Sequence, residues 1–357
     1  MINSKDRLFA FCRLGKLLNA TYDINNQYNT LEYSVEETLA IEGLSKAKFN
    51  CLQHNAWFTA QSVSQAIKGI SAILDENTLS KWFEQYNIPD QSTFRKVGVV
   101  MAGNIPAVGF HDFLCVLITG HIFVGKLSDA DRFLLPAIAR ILVAIDSRFD
   151  SYIHFTTERL TGFDSVIATG SANTSRYFEY YFGKYPHIIR SNRNSIAVLN
   201  GKETKEELQL LGSDIFSYFG LGCRNVSMIF VPVNYNFENL LEVLTDKTEL
   251  ISHSKYFNNY EYNKAIMLIN SVNHYDNGIV LLKEEDSMNS PVSVLHYHYY
   301  NAEIEVKNWI ETNSEKIQCI VSGNKNILKS IPFGKSQLPE VSDYADGIDT
   351  MKFLLEL

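Results

Sequence analysis

The 357-residue chain reads as an α/β protein with a helical N-terminal region and a doubly wound parallel sheet, organised as two domains or as one large α/β unit with an elaboration. Three observations carry that reading. Residues 1–95 place apolar side chains at helical spacing. From Arg95 onward, short β-branched and aromatic runs alternate with helical ones, the pattern of a parallel sheet with helices on both faces. A hydrophobic content of 46% with 20% charged residues supplies ample core for a chain of this length.

In order, Ser34-Val-Glu-Glu starts a helix with acids in its first turn. Val63, Ala66, Ile67, Ile70 and Leu74 put a second helix over 60–74, and Trp82 and Phe83 belong to a third that stops near Pro89. Strands follow at 97–102, 121–125 and 165–169, with helices from about 110, over 130–149 and over 172–182. A second run predicts strands at 187–190, 195–199, 228–233, 279–282, 292–300 and 317–322. Its helices are expected at 202–219, 237–244, 260–272 and 302–312. The tail, 331–357, is rich in turn residues before a last apolar segment.

Composition excludes several functions. A net charge of −8 argues against a general nucleic-acid binder and against electrostatic attachment to anionic membranes. Five scattered cysteines without a CxxC pair form neither a disulfide framework nor a zinc site, which suits a reducing cytoplasm. No signal peptide is expected at the N-terminus. The most apolar region, 107–124, contains His111, Asp112 and His121 and reads as buried elements, not a membrane span.

Near matches to known motifs fail on chemistry. Gly120-His-Ile-Phe-Val-Gly-Lys126 is followed by Leu127 where a P-loop needs a magnesium-binding hydroxyl, and Gly334-Lys-Ser336 lacks the first glycine. Gly220-Leu-Gly-Cys-Arg-Asn225 precedes a strand, so it is no dinucleotide fingerprint. His296 and His298 share a strand face without a third ligand nearby.

What remains is a thiol, Cys223, between a Gly-rich turn and the apolar run 228–233. It is either a nucleophile braced by a strand or one more buried cysteine. Asn104, in Gly103-Asn-Ile-Pro106, is either an oxyanion donor or a turn residue. Thr169-Gly170-Ser171 opens a helix whose free N–H groups suit a pyrophosphate, with Ser171 as the alternative plain N-cap. Jointly, thiol, amide and phosphate turn point to covalent thioester chemistry.

Four segments extend this. VMAGNIPAVGFHDFL, VIATGSANTSRYFEYYF, FGLGCRNVSMIFVP and PFGKSQLPEVSDYADGIDTMKFL occur in that order. Together they resemble the acyl-CoA reductase (LuxC-type) branch of the aldehyde dehydrogenase superfamily, from about residue 95 to the end. The resemblance implies Cys223 as nucleophile and Asn104 as oxyanion-hole amide. It implies Lys126 and Ser128 at the adenosine ribose, and Thr169, Gly170 and Ser171 over the nucleotide phosphates. It also implies an aldehyde dehydrogenase-like fold, two doubly wound α/β domains with a helical N-terminal region, with 1–95 packed on a nicotinamide-nucleotide domain at 96–190. A catalytic domain at 191–325 carries Cys223, and 326–357 returns to the cofactor domain.

The implied activity is NAD(P)H-dependent reduction of a fatty acyl-CoA or acyl-carrier thioester to the aldehyde, with NADPH preferred and NADH open. Asp129, near Lys126, is suited to a ribose 2′-hydroxyl instead of a 2′-phosphate. Arg224 is either an activator of the thiol, a contact for a CoA phosphate, or a surface Arg. No metal is called for. An acyltransferase partner and a homo-oligomer are the assemblies to consider, and a non-catalytic nucleotide- or acyl-binding protein is the alternative function. Where hydrolytic relatives carry a Glu-Leu-Gly-Gly base, this chain has Ile189-Arg-Ser-Asn, which disfavours water attack on a thioester.

Overall fold

The structure is a computed structural model, and it describes residues 2–21, 33–90, 94–324, 326, 327 and 329–357. Residues 22–32 and 91–93 of the expected helical region lie outside the described residues. The chain divides into two compact units, 1–192 with 339–357, and 193–338. Among the described residues, no helix is long and apolar enough to cross a membrane.

In the first unit, four helices come first: α1 (Ser4–Asn19), α2 (Val35–His54), α3 (Ala60–Ile73) and α4 (Glu76–Phe83). Their starts are chemically specified. Ser34 and Glu37 form a capping box on α2, and Thr59 and Asp75 cap α3 and α4 through their side-chain oxygens. Then follow β1 (Lys96–Val100), α5 (Phe110–Ile118), β2 (Ile122–Lys126), α6 (Leu134–Ile145), β3 (Ile153–Thr156), β4 (Ser165–Gly170), α7 (Ala172–Phe182) and β5 (His187–Ser191). All five strands are parallel, in the order β3-β2-β1-β4-β5. The main core joins α1–α6 to one sheet face, with Phe11, Trp82, Phe113 and Phe123 fully buried.

The second unit contains β6 (Asn194–Val198), α8 (Lys205–Phe216), β7 (Val226–Pro232), α9 (Glu238–Leu244), α10 (Thr248–Ile251), α11 (Ser254–Ile269), β8 (His274–Asp276), β9 (Leu281–Glu284), β10 (Val294–Tyr300), α12 (Glu303–Thr312), β11 (Ile317–Val321) and β12 (Ser330–Ile331). Its sheet runs β12-β11-β6-β7-β10-β9-β8 and is parallel except for β8, which pairs antiparallel at one edge. The last helix, α13 (Thr350–Leu355), belongs to the first unit.

Several elements differ from expectation, each for a visible reason. The helix expected over 130–149 begins only at Leu134, because Asp131 is drawn into the core as an anchor. It ends at Ile145, where Asp146 accepts the Arg148 N–H and starts a separate turn. The helix expected over 202–219 is α8, ending at Phe216. The strand β3 was not expected: it is four residues long and mostly half-buried, too short for a periodicity signal. His296 is bonded to the Ser287 carbonyl and His298 faces Asp286, and among the described residues no group of three His, Cys, Asp or Glu side chains is placed to hold a metal ion.

Candidate active site

In the first unit the strand order reverses between β1 and β4, so their carboxyl ends open the crevice where ligands of doubly wound sheets bind. Val100 is level with Lys126 on one side and with Ala168 on the other. Thr169 and Gly170 extend β4 past that level, and Ser171 caps α7 by accepting the Thr174 N–H at 3.3 Å. A Cβ on Gly170 would lie 2.9 Å from the Phe178 ring, so only glycine leaves the turn this close to α7.

Beside this turn lies a groove of about 940 Å³. It exists because β3 reaches β4 through residues 157–164 with no crossover helix. Leu160 and Phe163 cover the sheet instead, against Val166 and Ala168. One wall is the aromatic face of α7, with Tyr177, Phe178 and Tyr181. Lys126, Arg159 and Lys184 line it against one acid, Glu158, and the Arg159 guanidinium lies 5.8 Å from the Tyr181 ring centre. An aromatic wall suits a base and the cations suit phosphate; Thr174 in the first turn of α7 lines the groove, while Thr169, Gly170 and Ser171 stand outside its wall.

The other expected residues of this unit lie around it. Ser128 is not in the groove wall; its Oγ accepts the Ala130 N–H at 3.3 Å and its side chain presses on Gly103, where a Cβ would overlap it. Asp129 is exposed, its carbonyl is bonded to His54, and its side chain is not part of the groove. Asn104 is exposed on the loop after β1. That loop is held by a residue the sequence did not single out: buried Asp131 accepts the Ala107 N–H at 2.6 Å, where Ala107 has a left-handed φ of 54°. Burial pushes the Asp131 carboxyl up, opposed by this and neighbouring backbone N–H groups.

In the second unit, the turn from α8 to β7 carries Cys223. Tyr218, Phe219 and Gly220 are consecutive left-handed residues, with φ of 52°, 59° and 77°. For the two aromatics this conformation costs about 1–3 kcal/mol each, so the surroundings must impose it. Asn225, 2% exposed, does so. Its Oδ1 accepts the Gly222 N–H at 2.8 Å, and its Nδ2 donates to the carbonyls of Asp214, Ile215 and Ser217 at 3.1, 3.2 and 2.8 Å. These are carbonyls that the end of α8 leaves unpaired. Phe219 packs on the His253 ring, 4.3 Å between centres.

Cys223 is exposed at the tip, while its carbonyl accepts the Ser195 hydroxyl at 2.9 Å. Arg224 donates through Nε to the Ser336 carbonyl, and buried Asp214 accepts the N–H groups of Gly334 and Ser336 at 2.6 and 2.9 Å. The Phe-Gly-Lys-Ser segment is thereby pinned to the thiol turn. Burial raises the Asp214 carboxyl, and both its oxygens are committed to these N–H groups. At the end of β5, Arg190 is buried and donates to both oxygens of Asp112 at 2.9 and 2.8 Å and to the Thr350 hydroxyl at 2.8 Å.

The sheet orders, the crevice and a thiol on a strand-bound turn can now be compared with solved structures. The fold is that of the aldehyde dehydrogenases. Aldehyde dehydrogenase 21 from Physcomitrella patens, in complex with succinate, aligns over 99% of this chain and 88% of its own at 12% identity, with a TM-score of 0.59. The indole-3-acetaldehyde dehydrogenase AldA of P. syringae, in complex with NAD+ and IAA, aligns over 92% of this chain and 74% of its own at 13% identity and a TM-score of 0.61. Lactaldehyde dehydrogenase from Escherichia coli aligns over 91% and 75% at 12% identity, with a TM-score of 0.56. No protein-family model and no curated protein sequence matches the chain.

The structure thus collects Asn104, Lys126, Thr169, Gly170 and Ser171 at adjacent strand ends of one unit, and Cys223 in the other. Asn225, Asp131, Ser195 and the groove residues Arg159, Tyr177 and Tyr181 were not legible as site residues. Asn225 alone had a local signal: an amide two residues past a cysteine, between a Gly-rich turn and a strand.

Proposed function

We propose that this chain is an NAD(P)H-dependent oxidoreductase that reduces an acyl-CoA or acyl-carrier thioester to the aldehyde through an acyl group held on Cys223. The observation that carries the reading is the Cys223 turn. An exposed thiol sits on backbone fixed from behind by Asn225 and Ser195, within the aldehyde dehydrogenase fold. Several solved neighbours are described as bound to NAD+ or as NADP-dependent, and the groove beside Ser171 suits such a dinucleotide.

In this reading the Cys223 thiolate attacks the acyl carbonyl, and the donor thiol leaves. The Cys223 backbone N–H and the Asn104 amide stabilise the oxyanion; one such donor contributes about 2.7–4 kcal/mol to the barrier. The nicotinamide nucleotide supplies hydride when bound. Lys126 and the start of α7 hold it by its ribose and phosphates. The Ile189-Arg-Ser-Asn segment supports reduction over hydrolysis: Arg190 is locked to Asp112 and offers no base to activate water. The fatty character of the acyl chain and the preference for NADPH follow from the resemblance to LuxC-type reductases.

The test follows NADPH and NADH oxidation, with aldehyde measured directly, across acyl-CoAs of increasing length for wild type and Cys223→Ala. Aldehyde formed by wild type and lost in the variant supports the reading. Equal rates in both proteins, or free acid in place of aldehyde, would overturn it.

A further inference from the structure

Cys223 has a second thiol close behind it. Cys319, buried on β11, donates through Sγ to the Ser195 hydroxyl oxygen at 3.0 Å, and its N–H donates to the same oxygen at 3.1 Å. That hydroxyl in turn donates to the Cys223 carbonyl at 2.9 Å. Cys319 Sγ also reaches the Arg224 carbonyl, one residue further, at 3.9 Å. A single buried hydroxyl therefore links the Cys319 thiol to the Cys223 carbonyl, and the Cys319 sulfur also reaches the backbone of the turn that presents Cys223. Ser195, Cys223, Arg224 and Cys319 all belong to the second unit.

The remaining thiols are different. Cys12, Cys51 and Cys115 are buried in the first unit. Burial pushes Cys12 up to about 11 and Cys51 to about 12, and raises Cys115 as well. The thiolate is the form that reacts with peroxides. Cys223 is the exposed member of the five.

We propose that Cys319 is a resolving thiol that traps oxidised Cys223 as a Cys223–Cys319 disulfide. A hydroperoxide transfers its terminal oxygen to the Cys223 thiolate. The O–O bond breaks, the sulfur becomes a sulfenic acid, and the peroxide is reduced to an alcohol or water. Cys319 then attacks the Cys223 sulfur. The S–O bond breaks, and the hydroxide leaves with the Cys319 proton as water. Two thiols are oxidised and one hydroperoxide is reduced. The bond requires the two Cα atoms within about 7 Å, and the hydrogen bonds through Ser195 already tie the turn to β11. The disulfide keeps the nucleophile from further, irreversible oxidation to a sulfinic acid and is reopened by thiols. The inference rests on an accessible thiol at Cys223, not on acyl reduction, so either reading can fail while the other holds.

The test treats the full chain, fully reduced, with one and with several equivalents of hydrogen peroxide, records the intact mass, then alkylates free thiols and maps the peptides by mass. The expected result is a loss of about 2 Da, a linked pair of peptides containing Cys223 and Cys319, and return to the starting mass with dithiothreitol. In Cys319→Ser, whose hydroxyl keeps a partner for Ser195, Cys223 should instead accumulate about 32 Da as sulfinic acid several-fold faster than in wild type. Over-oxidation of Cys223 at the same rate in both proteins would overturn the inference. So would a wild-type Cys223 that links to another cysteine or does not oxidise. The wild-type peptide map decides the matter even if the variant folds poorly.

Discussion

Two turns at strand ends carry the proposed chemistry, and they are built in opposite ways. The Thr169-Gly170-Ser171 turn, from β4 into α7, uses ordinary backbone: Ser171 caps the helix with φ −64° and ψ 164°, and its surroundings are open. The turn from α8 to β7 holds three left-handed residues in a row, and its supports, Asn225, Ser195 and Asp214, are buried. A diffusible ligand can adjust to a turn that offers N–H groups and a helix dipole. A covalent nucleophile must be held within a fraction of an ångström of its target, so the chain spends strain and buried polar contacts there.

That contrast can be broken at several points. The largest effect is expected from Asn104→Ala, which should lower kcat about 10²–10³-fold while leaving nucleotide affinity unchanged. Steady-state kinetics beside a nucleotide titration would show it. Asn225→Ala comes next. It strands the Gly222 N–H and three carbonyls, and should destabilise the second unit by about 2–3 kcal/mol in denaturant unfolding. It should also speed or scramble alkylation of Cys223. If stability and alkylation both stay at wild-type values, the turn is not held from behind.

Acid should weaken both units, through His296 in the second, which burial lowers against its hydrogen bond to the Ser287 carbonyl, and through two imidazoles in the first. Burial lowers His111 and His121 in the first unit, against hydrogen bonds to the Val341 and Leu354 carbonyls that act in the opposite direction. Each folded imidazole takes a proton less readily than the unfolded chain, whose value is near 6.5. Stability from this source is therefore full above that value and is lost as pH falls from it through the lower value of the folded state. Hydrogen exchange at pH 7 and 5.5 should show both units losing protection, and His121→Gln should flatten the change in the first alone. The smallest effect is Ser171→Ala. Loss of an N-cap costs about 1 kcal/mol, with a matching fall in nucleotide affinity and no change in Cys223 alkylation.

The sequence showed the same asymmetry. Elements whose signals are local were legible: the Ser34 capping box, the Ser171 start of α7 and the apolar run of β7 all sit where their residues indicate. The Cys223 turn was legible only as glycines around a cysteine. Tyr218 and Phe219 carry no mark of a left-handed backbone, because aromatics rarely adopt it and here tertiary contacts impose it. The groove was invisible for a related reason. It arises from an absent helix between β3 and β4, and β3 is too short to announce itself. Ser195 and Cys319 meet only because β6 and β11 pair, which is a property of the sheet and not of either segment.

The central claim is that Cys223 carries the acyl group. The most direct measurement mixes the protein with a long-chain acyl-CoA, without nucleotide, and records intact and peptide masses. The expected result is one acyl group on Cys223 in wild type, absent in Cys223→Ala and discharged as aldehyde when NADPH or NADH is added. An unmodified wild-type chain, or the same acyl mass on Cys223→Ala, would contradict it.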